Sequence, residues 1–128
     1  MFNIADGSTG IGVDIVDIGR FEGLTLERDS RFLNRIFTQK ELSYCFSTAK
    51  PAQHLAARYA GKEAVVKALS MLDRNLVYKD IEISNGAGGV PGVSILKEGF
   101  KDIDFLLSLS HAENAAIAFT VAVRRGEI

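Results

Sequence analysis

Glu63 and Lys67 stand four residues apart in the stretch RYAGKEAVVKAL, residues 58–69. On a helix they share one face, with the carboxylate ahead of the ammonium in the favourable order. On an ordinary surface such a pair contributes about 0.2–0.5 kcal/mol and does nothing more. The neighbours here argue for more. Ala60, Ala64, Val65, Ala68 and Leu69 leave little room for a wide solvated face, and the small alanines let a ligand come close to the backbone. A carboxylate and an ammonium projecting together can hold a divalent metal and an anionic oxygen.

A second carboxylate, Asp14, lies inside the apolar run GIGVDIVDI. Burying it alone would cost several kcal/mol, so it either faces solvent at a strand edge or meets a cation. This segment by itself leaves both readings open. Two hard-oxygen ligands are too few for a calcium cage but suit magnesium, which keeps waters and takes further ligands from phosphates. The sequence has no Cys/His cluster of the kind zinc requires. His111 closes the run LSLSH; alone it reads as a hydrogen-bonded structural residue, and His54 is given no role. Arg28, Arg31 and Arg35 recur at helical spacing, with Phe32 and Ile36 on the neighbouring face. That stripe is either a solvated face or a surface for an acidic protein partner.

These side chains need elements to hold them. GIGVDIVDI reads as a strand, in which Ile11, Val13 and Ile15 face one way and Asp14, Val16 and Ile18 the other. DSRFLNRIF reads as a short helix capped by Asp29 or Ser30. TQKE at 38–41 matches a capping box opening a helix through about Phe46. Pro51 suits the first turn of the longest helix, about 51–71. NLVYKDIEIS reads as a strand with Ile81 and Ile83 inward, NGAGG as a turn, and VPGVSIL as a weaker strand that Pro91 puts at an edge or a start. FKDI suggests a helical turn. DFLLSLS and AAIAFTVAV read as strands joined by HAEN. The order of strand, helices, then paired strands predicts an α+β fold: a largely antiparallel sheet packed on one long helix and short helices.

Bulk properties narrow the classes. The 128 residues fit one domain, large enough to bury a core without metal or disulfide staples. A composition 47% hydrophobic and 24% charged is that of a soluble globular chain. A net charge of −1 gives no global basic field, which argues against nucleic acid or membrane as partners. The single cysteine fits a reducing cytoplasm. The N-terminus lacks a signal-peptide pattern, and NGAGG belongs to no Walker or dinucleotide fingerprint.

Taken together, GIGVDIVDIGRF, RFLNRIFTQKEL, AARYAGKEAVVKAL, GVPGVSIL and LSLSHAENAAIAF, in that order, resemble the holo-acyl-carrier-protein synthase family, the small bacterial phosphopantetheinyl transferases. The resemblance runs from about Gly10 to Val123, with residues 1–9 as an N-terminal extension of a single domain spanning 1–128. It implies transfer of 4'-phosphopantetheine from coenzyme A to a serine of an acyl carrier protein, with magnesium as cofactor. It also implies release of adenosine 3',5'-bisphosphate and a homotrimer with sites between subunits. By the same resemblance Asp14 and Glu63 are the metal ligands, and Glu63 and Lys67 the candidate catalytic residues. Arg58, Lys62, Lys67, Pro91, Ser110 and His111 are assigned to the coenzyme A pocket, although Lys62 could equally face solvent. Arg20 and the segment of Arg28, Arg31, Phe32 and Arg35 are assigned to carrier docking.

The sequence departs from the family pattern in two places. LSMLDRNL follows the long helix where many members have a glycine-rich turn, and GVP stands where many have a basic residue between Gly and Pro. The alternative reading is a non-catalytic module that binds carrier protein or coenzyme A. A purely structural trimer-forming domain is a third. The retained Asp14, Glu63 and Lys67 argue for the enzyme.

Overall fold

The computed structural model describes residues 7–126. Its elements are β1 (Thr9–Asp17), α1 (Leu26–Ile36), α2 (Gln39–Phe46), α3 (Pro51–Ser70), β2 (Ile81–Asn85), β3 (Pro91–Ile95), β4 (Ile103–His111) and β5 (Ala115–Arg124). The strands form an antiparallel sheet in the order β1–β5–β4 and an antiparallel β2–β3 hairpin. The α+β architecture is the one the element order predicts.

α3 is the centre. Its buried positions go round the helix, from Ala52, Leu55 and Ala56 to Arg58, Gly61 and Lys62, then Ala64, Val65, Ala68 and Leu69. A helix enclosed on this many sides is a core helix, not a surface one. Pro51 opens it at the first turn as expected. One face of the β1–β5–β4 sheet lies on it through small residues, with Ala116, Ala118, Thr120 and Ala122 of β5 fully buried. The strand parity of β1 also holds, but the more apolar set points outward: Ile11, Val13 and Ile15 are exposed, while Val16 is buried. With Leu106, Ile117, Phe119 and Val123 they make an apolar outer sheet face.

Local signals fared best. Thr38 and Glu41 form the full reciprocal capping box of α2. α1 starts earlier than expected: Thr25, not Asp29 or Ser30, caps it by accepting from the Arg28 N–H. Asp29 instead marks a kink inside the helix, its carboxylate accepting from the Thr25 N–H. β2 is shorter than predicted because Tyr78–Asp80 form a 3-10 turn before it, and residues 101–102 are a plain turn. His111 stays in β4, with the turn at 112–114. Of the expected extension, residues 1–6 lie outside the described residues. Thr9 pairs with Val123, and Ser8 and Gly7 accept hydrogen bonds from Arg124, so 7–9 belong to the sheet edge.

The turn after α3 closes without glycine. Asp73 takes the left-handed conformation at φ 57°, which aspartate tolerates better than most residues. The Arg74 N–H returns to the Leu69 carbonyl, while its guanidinium pairs with Asp102 at 2.8 Å and lies over Phe100.

Candidate active site

β1 touches α3 backbone to backbone. A Cβ at Gly12 would come 2.8 Å from the Ala64 carbonyl carbon, and one at Gly10 would come 3.0 Å from that of Ala68. Only glycine fits either position. Two residues along the strand, on the same face, Asp14 comes alongside the helix. Lys67 reaches across to it: Nζ lies 3.2 Å from Asp14 Oδ1 and donates to the Val13 carbonyl at 2.9 Å. Glu63 sits one turn back on that helical face. Its Oε1 accepts a hydrogen bond from the Tyr78 hydroxyl. That bond, followed by burial and the Glu63 charge, holds the Tyr78 phenol above its ordinary range.

Asp14, Lys67 and Glu63 therefore lie along one strip where β1 crosses α3, Asp14 and Lys67 in direct contact. Asp14 Oδ2 and Glu63 Oε2 carry no hydrogen bond among the described residues. Among those residues no group of three or more His, Cys, Asp or Glu could hold a metal ion. Two hard carboxylates with open oxygens beside a cation suit magnesium, whose remaining ligands come from water and a ligand's oxygens.

Lys62 corrects the sequence expectation. Its side chain is wholly buried, and its ammonium pairs with Glu41 Oε1 at 2.8 Å. It also donates to the carbonyls of Tyr78, at 2.9 Å, and Ile81. Burial lowers its pKa, with the Glu41 charge opposing. Glu41 is equally occupied: Oε1 also accepts from the Thr38 N–H at 2.8 Å, and Oε2 from the Ile83 N–H at 2.7 Å. This pair joins α2, α3 and β2 inside the core.

The N-terminal half of α3 holds a second cluster. Arg58 is buried, its guanidinium 4.4 Å from the Tyr44 ring centroid and its Nε without a hydrogen-bond partner. A buried donor left unpaired costs about 1–3 kcal/mol, which makes it a natural contact for an incoming acceptor. It lines a cavity of about 190 Å³ with Lys40, Tyr44, Glu82, Ser84 and Asn85. His54, one turn before Arg58, packs edge-on against Tyr44. Burial lowers its pKa first, and the charges of Arg58 and His111 lower it further. His111 is exposed, and its ring nitrogen Nδ1 lies 2.6 Å from Gln53 Nε2. Pro91 opens β3 opposite Asn85, a member of the cavity lining. Ser110 is not brought here: strand parity turns it to the outer sheet face, opposite Ile117.

The basic stripe divides. Arg28 is tied locally, pairing with Asp29 at 2.9 Å and donating to the Gly23 carbonyl at 2.6 Å. That contact, with the Thr25 N–H, keeps the Asp29 carboxyl below its usual range. Arg31, Phe32 and Arg35 are exposed, while Ile36 turns into the core. Arg20 lies 5.1 Å over the Tyr59 ring. Sequence reasoning missed Tyr78, Tyr44 and Gln53. Tyr78 fell in a segment read as strand, and nothing in the local pattern joins it to a helix fifteen residues earlier.

The model of the 4'-phosphopantetheinyl transferase superfamily matches residues 10–120. A holo-[acyl-carrier-protein] synthase of Thermodesulfovibrio yellowstonii is 46% identical over 88% of this chain and 96% of its own length. One from Protochlamydia amoebophila is 45% identical over 88% and 95%. The crystal structure of Helicobacter pylori holo-[acyl-carrier-protein] synthase in complex with coenzyme A superposes with a TM-score of 0.71 at 31% identity, covering 89% of this chain and 98% of that one. The glycines that seat β1, the carboxylate they present and the helix that answers it all fall within the matched span, and the chain belongs to the 4'-phosphopantetheinyl transferase superfamily.

Proposed function

We propose that this chain transfers 4'-phosphopantetheine from coenzyme A to a serine of an apo-acyl carrier protein, releasing adenosine 3',5'-bisphosphate. The observation that carries the reading is the Lys67–Asp14 contact one helical turn from Glu63, in a chain whose relatives are named for this activity. Asp14 and Glu63 would hold magnesium. When bound, it neutralises charge on the pyrophosphate and orients it for in-line displacement. Lys67 is half-exposed and needs only to turn its ammonium onto a phosphate oxygen, where it offsets charge as the bond to the leaving group breaks. The carrier serine oxygen forms the new bond to phosphorus. The old P–O bond breaks with its electron pair on the nucleotide, and the serine proton passes to a base, for which Glu63 acting through a water is one candidate.

Arg58, with its unpartnered Nε, supplies a cation for the nucleotide phosphates; Pro91 pairs with Asn85 of the same cavity, and His111 meets Gln53 near the start of α3. Ser110, on the outer sheet face, would contact a ligand only across a neighbouring copy. A homotrimer fits this, since an apolar sheet face of the kind described is rarely left to water. Arg20, Arg31, Phe32 and Arg35 offer a basic, partly apolar surface to an acidic carrier, with Arg28 bracing the loop beneath. A buried free Cys45 suits work in the cytoplasm. Among the described residues no helix is long and apolar enough to cross a membrane.

The test is mass spectrometry of purified apo-carrier incubated with the protein, coenzyme A and magnesium, reading the mass gain of one phosphopantetheine. Transfer should fall by at least about 100-fold in Asp14→Ala and Glu63→Ala with folding intact. Near-parental activity in both would end the metal assignment. Carrier binding with no turnover by the parent protein would make it a binding module instead.

A further inference from the structure

Residues 62 and 63 of α3 both grip the same tyrosine. Lys62 Nζ, itself fixed by the buried Glu41 pair, donates to the backbone carbonyl of Tyr78 at 2.9 Å. Glu63 Oε1 accepts from the hydroxyl of that same Tyr78. The ring between these two anchors is also held from the side: its centroid lies 5.6 Å from that of Tyr59, which packs at 5.7 Å on buried Phe21. A glutamate on an open helix face would sample several rotamers, and ordering it on a ligand would cost side-chain entropy. Here one oxygen is already taken by a donor whose own position is set at main chain and ring.

We propose that Tyr78 is a positioning residue that holds the Glu63 carboxylate in the orientation used to bind a divalent cation, with the buried Lys62–Glu41 pair fixing Tyr78 in turn. The inference rests on the reading of Glu63 as a magnesium ligand. It gives the Lys62 charge a purpose that neither a nucleotide contact nor solvent exposure provides. Partners that orient metal-binding carboxylates typically carry tenfold to about a hundredfold in metal affinity or activity.

Tyr78→Phe removes the hydroxyl and keeps the ring, so the packing against Tyr59 survives. Magnesium binding is measured by titration calorimetry in the presence of coenzyme A, for the parent, Tyr78→Phe and Glu63→Gln, with the thermal midpoint of each metal-free protein as the check on folding. The expected result is a magnesium dissociation constant raised by about tenfold in Tyr78→Phe. The midpoint should stay close to the parent's. The magnesium concentration for half-maximal transfer should rise in step, while KM for the carrier stays unchanged. Weakened binding in Glu63→Gln, with Tyr78→Phe within about twofold of the parent, overturns the role of Tyr78 and leaves the metal reading standing. Unchanged binding in both variants overturns the metal reading and this inference with it.

Discussion

α3 carries two lysine–carboxylate pairs five residues apart, and they could hardly differ more. Lys62 and Glu41 meet at 2.8 Å with both side chains fully enclosed; Lys67 and Asp14 meet at 3.2 Å with the lysine 52% exposed. In the first, Glu41 also takes two backbone N–H groups and Lys62 two carbonyls, so every group is committed. In the second, the lysine can leave its partner at small cost because water replaces what it loses. The same chemistry is structural where the surroundings exclude water and exchangeable where they admit it.

The sharpest way to break the contrast is to remove Lys62. Lys62→Ala leaves Glu41 charged and buried, and should lower unfolding free energy by about 3–5 kcal/mol in urea titrations. Replacing both partners, as in Lys62→Met with Glu41→Leu, should not restore it, because the Thr38 and Ile83 N–H groups then lose their acceptor. Full recovery in the double variant would show the pair to be dispensable. Next in size, Lys67→Ala should cut transfer by about 10²–10³. Its unfolding free energy should move by ~1 kcal/mol or less, and by less still at high salt. A stability loss matching that of Lys62→Ala would erase the distinction. A last prediction sharpens the enclosed side. Burial pushes the Cys45 thiol from 9.0 up to about 11, with Glu41 adding and Arg58 opposing. The folded state therefore keeps the proton longer than the unfolded one. The contribution to stability is whole below pH 9 and declines as pH rises through the folded value, by at most about 1.4 kcal/mol per pH unit. Native protein at pH 8 should resist iodoacetamide, and prompt alkylation would mean this region is open.

What the sequence made legible follows the range of each interaction. The capping box at Thr38 and Glu41 needs only four consecutive residues, and it was read correctly. The Glu63–Lys67 face follows from helical spacing, and the element order gave the α+β class. The α1 start was misplaced because Asp29 offers a local cap signal that the chain uses for a kink. Lys62 was misjudged because its burial depends on Glu41, twenty-one positions earlier, and on carbonyls of a segment beyond the helix end. The absence of a glycine-rich turn after α3 was plain in the sequence, but not that Asp73 takes the left-handed conformation there. In the β1 strand alternation was clear, but which face met the helix was not. The glycines on that face carry no apolar side chain to announce it.

Contact between the main chains of β1 and α3 has a mechanical consequence. A gap filled by side chains widens and narrows as their rotamers change, and neutral drift in the core resizes it. Main-chain atoms in direct touch have no such play. The span over which Asp14 meets the helix is thus insulated from repacking elsewhere, and a single methyl group at Gly12 would prise the two apart.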